Sequence, residues 1–387
     1  VETTPTRDVP GLVEQSRAAI PAWAAMSGGE RRKVLNQAAD ALLANATALG
    51  EMLSEETGKT RRLGLREIQV AARDTKLRAA RTQAAIEPWQ QLSELTESTV
   101  HYDPLGVCAV IAPCSHPVSM ALWMMIPALA AGNTVLLKPS QEAPLVSQHL
   151  AETFQRFLPE GVLQLIHGDA EQGKALVAAN VNLIAFTGSR AAGKHVMAGA
   201  AYGLKRLVLE LGGKDCLIVL ADADIEAAAQ FAVDNSFENA GQSCIATESI
   251  LVDHGIAQAF LARVRELSEE IRIGSWDDPN ADIGPIISAS RRRRVIRLID
   301  DAIHKGATAL VGGNNHPEFF VRPTVLLNVN DDMDILHEEV FGPVACVHQF
   351  SDAQQAAELA NQSSFALGCV IFGSDDAATA LARRLDA

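Results

Sequence analysis

Short apolar runs that alternate with helical stretches from residue 107 onward predict an α/β fold, with a parallel sheet covered on both faces. A helical opening third and a second α/β stretch after Gly213 complete the pattern. At 387 residues the chain is too long for one ordinary core, so two or three domains are expected. Its 48% hydrophobic and 21% charged residues are those of a soluble globular protein.

The elements follow in order. Between Glu30 and Ser54 the residues Leu35, Ala38, Ala39, Leu42, Leu43, Ala46 and Leu49 form one helical stripe. A second helix is expected from about Leu63 to Ile86. Residues 107–112 are a buried strand ended by Pro113, followed by an apolar helical segment closed by Gly132 and Asn133. Residues 134–137 are the next strand and 144–158 the next helix. The runs 163–166, 183–186 and 207–209 continue the alternation. After Gly213 come a strand at 217–220, a helix at 225–237, a strand at 247–252, and helices at 256–271 and around 295–305. The first ten residues are polar and turn-like, with no signal peptide.

Charge and cysteine usage narrow the function classes. A net charge of −14 argues against a nucleic-acid partner. The basic run Arg291 to Arg294 reads as the solvated face of a helix whose apolar side is Val295, Ile296, Leu298 and Ile299. The six cysteines (Cys108, Cys114, Cys216, Cys244, Cys346 and Cys369) lack zinc-like spacing and sit in apolar stretches. They read as reduced thiols of a cytoplasmic protein, with no metal site. The longest apolar stretch, Pro117 to Ala131, is too short to span a bilayer, so no membrane partner is expected.

Open parallel sheets bind ligands at the carboxyl ends of their strands. The positions past these strands are Pro113 to Pro117, Lys138 to Gln141, Gly168, Thr187 to Ser189, and Glu210 to Gly213. No GxGxxG fingerprint is present, so no motif indicates an ordinary dinucleotide fold. Cys244 lies in Ala240-Gly241-Gln242-Ser243-Cys244, and Glu210, 34 positions earlier, opens Glu210-Leu211-Gly212-Gly213-Lys214. A thiol and a carboxylate framed by glycine suit covalent catalysis with a general base. Taken singly, a buried structural cysteine and a surface glutamate are the commoner readings.

Seven segments in order resemble the aldehyde dehydrogenase superfamily. They are Pro104-Leu105-Gly106-Val107, the run Pro127 to Asn133, Lys138-Pro139-Ser140, Phe186-Thr187-Gly188-Ser189, Glu210 to Lys214, Gly241 to Cys244, and the run Glu338 to Pro343. The resemblance covers most of the chain. It implies a Rossmann-like parallel-sheet NAD(P) domain at residues 1–212, with part of an oligomerisation arm near 93–103, and an α/β catalytic domain at 213–387. It also implies a homodimer or homotetramer that oxidises a small-molecule aldehyde to its acid with NAD or NADP.

In that chemistry Cys244 attacks the aldehyde carbon and the resulting oxyanion needs hydrogen-bond donors. A thioester follows, and Glu210 activates the water that hydrolyses it. The resemblance places Phe186 to Ser189 at the cofactor pyrophosphate, where a helix N-terminus favours anions; an ordinary N-cap is the alternative for Ser189. Lys138 corresponds to the residue at the adenosine ribose. Gln141 stands where many relatives carry a Glu, and its neutrality leads us to expect that NADP is tolerated. Glu339 and Phe341 correspond to the pair at the nicotinamide riboside; Phe341 also reads as core packing. Ile111, Ser140 and Leu211 complete the implied cofactor set.

Three departures stand out. Pro113-Cys114-Ser115-His116-Pro117 replaces Pro-Trp-Asn-Phe/Tyr-Pro, so the shorter Ser115 occupies the oxyanion position. The initial strands usual in the family are largely absent. The chain also stops at Leu385-Asp386-Ala387, so it reads as truncated at both ends, either a shortened chain or a trimmed member. Missing strands would leave sheet edges for a partner subunit to cover. Two other functions remain open: a coenzyme A-acylating semialdehyde dehydrogenase, and a weakly active scaffold or binding member. Ile245, Trp123 and Met124 read equally as pocket lining or core.

Overall fold

The computed structural model describes residues 1–93, 95–314, 316–317 and 319–386. Position 94 of the expected arm and the terminal Ala387 lie outside the described residues. The chain forms two compact units: Val1–Thr57 with Arg62–Leu211, and Gly58–Arg61 with the segment from Gly212 onward.

The first unit opens with α1 (Val9–Ala25), α2 (Gly28–Ala44), α3 (Ala46–Thr57) and α4 (Arg61–Ala85). The polar, turn-like start expected for the first ten residues ends early: α1 begins at Val9, and Val9 and Val13 are fully buried against the sheet. The single helix expected from Glu30 to Ser54 is two helices. Asn45 separates α2 from α3, and its side-chain amide donates to the Ala41 carbonyl at 3.0 Å, a local bond that competes with helix continuation. An exposed antiparallel pair follows, β1 (Trp89–Leu92) with β2 (Glu97–Val100). Its polar strands carry no alternation for a sequence reading to detect.

The sheet of this unit is built from β3 (Val107–Ile111), β4 (Thr134–Lys138), β5 (Leu163–Leu165), β6 (Leu183–Gly188) and β7 (Arg206–Leu211). Between them run α5 (Pro117–Ala130), α6 (Pro144–Gln155), α7 (Ala170–Ala178) and α8 (Arg190–Ala201). Every pairing is parallel and the order is β5-β4-β3-β6-β7. Strand side chains alternate between two dry faces. Cys108 and Val110 join Val135, Leu137 and Ala185 on one; Val107, Ala109 and Ile111 join Leu136, Ile184 and Phe186 on the other. The chain leaves β3 toward β4 and later returns to β6 on the opposite side. In such sheets that reversal marks the usual ligand position, here the carboxyl ends of β3 and β6.

The second unit contains β8 (Asp215–Val219), α9 (Ile225–Phe237), β9 (Thr247–Asp253), α10 (Ala257–Glu269), α11 (Ala289–His304), β10 (Thr308–Val311), β11 (Thr324–Leu327), α12 (Asp334–His337), β12 (Val344–Phe350), α13 (Ala353–Asn361), β13 (Cys369–Phe372) and α14 (Asp375–Ala382). Its sheet has the order β10-β11-β12-β9-β8-β13. All neighbours are parallel except β10, which pairs antiparallel with β11. Leu217, Val219, Ile250, Val252 and Val347 pack under α9 and α10. No helix among the described residues is long and apolar enough to cross a membrane.

Candidate active site

In the first unit the sequence-predicted residues lie at the carboxyl ends of the strands. Ile111 ends β3 and pairs in register with Lys138, the last residue of β4, and with Phe186 of β6. Glu210 stands beside Thr187 and Leu211 beside Gly188. Lys138 is buried, and its ammonium donates to the Pro139 and Gly168 carbonyls, both at 2.9 Å. Burial lowers its pKa, and Asp169 opposes that shift. Ser140 Oγ accepts from the Glu142 N–H at 3.2 Å, and Gln141 is exposed in the turn before α6.

Ser189 is the N-cap of α8: its Oγ accepts from the Ala192 N–H at 3.3 Å. The cap and an anion site at this helix start are compatible, because one hydroxyl satisfies only one of the free N–H groups. A Cβ on Gly188 would lie 2.6 Å from the Phe186 ring, so glycine is needed where β6 turns into α8.

Ser115 is buried in the loop between β3 and α5. The start of that helix has a tertiary cap. Glu67 of α4, itself buried, accepts from the Val118 and Ser119 N–H groups at 3.0 and 3.1 Å. A carboxylate at a helix N-terminus meets both the unpaired donors and the positive dipole end. Glu67 therefore fixes the segment that carries Ser115. Of the three residues read as pocket lining or core, Met124 is buried, Trp123 lies under the Arg78 guanidinium at 5.3 Å, and Ile245 is exposed.

In the second unit three sequence motifs meet. A Cβ on Gly212 would fall 2.3 Å from Glu339 Oε2, and one on Gly213 would fall 2.4 Å from the Cys244 carbonyl. Gly241 has φ +68°, and a Cβ there would be 2.0 Å from the Gly342 carbonyl oxygen. These glycines exist for close approach. Cys244 is half-buried, in contrast to Cys108 and Cys346, whose thiols burial pushes up to about 12. High pKa values remove those two as thiolate nucleophiles. Cys216 and Cys369 are register partners on β8 and β13, with Sγ atoms 3.0 Å apart.

The turn before Cys244 is strained. Asn239 (φ 56°, ψ 31°) and Ala240 (φ 55°, ψ 36°) are both left-handed, which costs a side-chain-bearing residue about 1–2 kcal/mol. Gln242 holds this shape. Its amide donates to the Asn239 carbonyl at 3.0 Å and its Oε1 accepts from the Ile287 N–H at 2.9 Å. Strain held by buried hydrogen bonds is characteristic of a residue being presented to a ligand.

Comparison with known proteins decides the family. The aldehyde dehydrogenase family profile matches residues 1–387. The chain belongs to the aldehyde dehydrogenase family. It is 36% identical over 382 residues to a betaine aldehyde dehydrogenase of Cereibacter sphaeroides, covering 97% of this chain and 78% of that one. An NAD-dependent aldehyde dehydrogenase from Sinorhizobium meliloti superposes with a TM-score of 0.95 at 33% identity, over 99% of this chain and 78% of that chain. An Escherichia coli NADP dependent enzyme superposes with a TM-score of 0.96 at 30% identity, over 100% and 82%. The α/β fold with a Rossmann-like parallel sheet is thereby that of the family, and the enzyme is an oxidoreductase acting on aldehydes.

Sequence reasoning assigned no role to the aldehyde dehydrogenase's buried charges, Lys214, Asp215 and Glu248. An acidic residue inside the otherwise apolar strand at 247–252 was the available signal for Glu248. Asp215 is buried, its Oδ1 has no hydrogen-bond partner among the described residues, and its pKa is pushed up to about 7 by burial and then by Glu248, against an N–H bond from Gly368. Below the unfolded value of 3.8 both states are protonated and the group costs nothing. As pH rises toward 7 the unfolded chain ionises first and stability falls; above 7 the cost is constant. A rise from 3.8 to about 7 corresponds to a ceiling on the order of 4 kcal/mol. Asp215→Asn is therefore expected to raise the melting temperature by about 3–6 °C at pH 8. The gain should vanish as the pH approaches 4. A pH-independent difference, or a loss at pH 8, contradicts this account.

Proposed function

We propose that Cys244 is the nucleophile, that Glu210 is the water-activating base, and that residues 1–212 form the NAD(P) domain and 213–387 the catalytic domain. The observation that carries this reading is the packing of Gly212 and Gly213. Of the two residues that follow Glu210-Leu211, Gly213 leaves no room for a Cβ against the Cys244 carbonyl, and Gly212 lies against the Glu339 carboxylate. The two glycines thus pack against the Glu339 carboxylate and the Cys244 backbone.

The residues present fit a dinucleotide. The strand order reverses at β3, and α8 offers its N-terminus with an exposed Ser189 at the end of β6. Lys138, Ser140, Gln141, Ile111 and Leu211 hold the adenosine half. Gly188 and Ser189 receive the pyrophosphate, and Glu339 and Phe341 hold the nicotinamide riboside. Bound NAD(P) supplies the hydride acceptor. NAD is the cofactor, and the neutral, exposed Gln141 beside cationic Lys138 admits NADP as well.

The rest of the chemistry belongs to the chain. The Cys244 thiolate attacks the aldehyde carbon, giving a thiohemiacetal. Ser115 and the Cys244 N–H are the donors for its oxyanion. Loss of hydride from this carbon leaves a thioester on Cys244. Glu210 takes a proton from water, the hydroxide adds to the thioester carbon, and the carboxylic acid departs as the thiolate returns. The exposed β1–β2 pair, with Leu92 71% exposed, supports an oligomerisation arm and a homodimer or homotetramer. Free thiols support a cytoplasmic location.

The test is an aldehyde panel with NAD and NADP, with and without coenzyme A. The expected product is the free acid in every case, with turnover on both cofactors. Acyl-coenzyme A as the main product would establish the acylating alternative, and absence of any turnover would favour a scaffold.

A further inference from the structure

Glu339 and Phe341 lie in a loop whose shape the chain does not adopt unaided. Phe341 has φ +54°, a left-handed conformation costly for an aromatic residue. On its inner side the bonds that hold it come from one buried ion pair. Lys214 Nζ and Glu248 Oε2 are 2.8 Å apart, and both side chains are 3% exposed. Glu248 Oε1 accepts from the Val340 and Phe341 N–H groups, both at 2.9 Å, and Oε2 also accepts from Val340 at 2.9 Å. Lys214 donates to the Glu338 carbonyl at 3.0 Å. The pair thus binds the backbone on both sides of Glu339.

We infer that Glu248 and Lys214 are positioning residues that set the loop 338–341 in the shape required to grip the cofactor's nicotinamide half. Stability alone explains this pair poorly, because a buried ion pair replaced by apolar residues of similar volume is often neutral or stabilising. What an apolar pair cannot supply is an acceptor for two adjacent N–H groups and a donor for the preceding carbonyl. The outer side of the loop is held separately. Arg294 and Arg297 of α11 pair with Glu338 at 2.9 and 3.0 Å, and the Arg291 guanidinium lies 5.3 Å from the Phe341 ring centroid. The basic run expected to be merely solvated therefore contributes to the same loop.

The inference rests on the proposed placement of Glu339 and Phe341 at the cofactor, so the experiment separates the two. In the full chain, hydrogen exchange of the Val340 and Phe341 amides should be slow, and Glu248→Gln should accelerate it. Glu248→Gln should also raise the NAD dissociation constant, read by tryptophan quenching, by about tenfold, and raise KM for NAD more than it lowers kcat. Iodoacetamide alkylation of Cys244 without cofactor should keep its rate within about twofold, because the thiol turn is held by Gln242 instead. The double variant Lys214→Met/Glu248→Leu removes both charges. It should melt close to the wild type and still bind NAD weakly. A double variant with wild-type melting and wild-type NAD affinity overturns the clamp, as do fast Val340 and Phe341 amides in the wild type. The controls Glu339→Gln and Phe341→Ala test the underlying placement: unchanged NAD affinity in both would overturn that reading, independently of the clamp.

Discussion

Replacing Cys244 with alanine is expected to lower kcat for aldehyde oxidation by about 10,000-fold or more, with the fold and NAD affinity intact. The magnitude follows from the role. A nucleophile that carries every covalent intermediate leaves no comparable route when removed, and only binding and oxyanion donors remain. The structure gives grounds for singling out this thiol. Cys108 and Cys346 are buried, with pKa values near 12. Cys216 and Cys369 are committed to one another across β8 and β13. Cys244 follows two left-handed residues held by the buried Gln242 side chain. NADH formation under steady state and in a single turnover is the measurement. A variant that keeps more than about a tenth of wild-type kcat would exclude covalent catalysis through Cys244.

The second large effect concerns Glu210. Glu210→Gln is expected to lower kcat by about 100- to 10,000-fold, the span typical of a lost general base. The loss should fall on thioester hydrolysis, so a rapid burst of NADH should precede a slow steady state. Measured together, burst and steady state locate the step: a full burst with slow turnover assigns Glu210 to water activation. Loss of the burst itself would assign it to deprotonating the thiol instead, and unchanged turnover would remove it from the mechanism.

Parts of this architecture are legible in the sequence for clear physical reasons. β3 and β4 are buried on both faces, with apolar runs at 107–111 and 135–137, and α9 covers the stretch 225–237 read as a helix. The helix break at Asn45 was hidden because the apolar stripe continues across it. The β1–β2 pair was hidden because exposed strands need no alternation. Among the residues proposed to act, Cys244, Glu210, Glu339 and Phe341 stand in recognisable motifs. Lys214 and Glu248 do not announce their bond, because the pair is 34 residues apart in sequence and its loop a further 92 residues from Glu248. Glu67 was likewise invisible: its role at the start of α5 depends on contacts 51 and 52 residues away. Roles created by distant backbone groups leave no local trace.

The most direct test of the account is the mass of the covalent intermediate. Glu210→Gln mixed with NAD and an oxidisable aldehyde, then quenched in acid during the slow phase, should carry one acyl group per chain, and peptide mapping should place it on Cys244. NADH formed without a covalent adduct, or an adduct on another residue, would contradict the account.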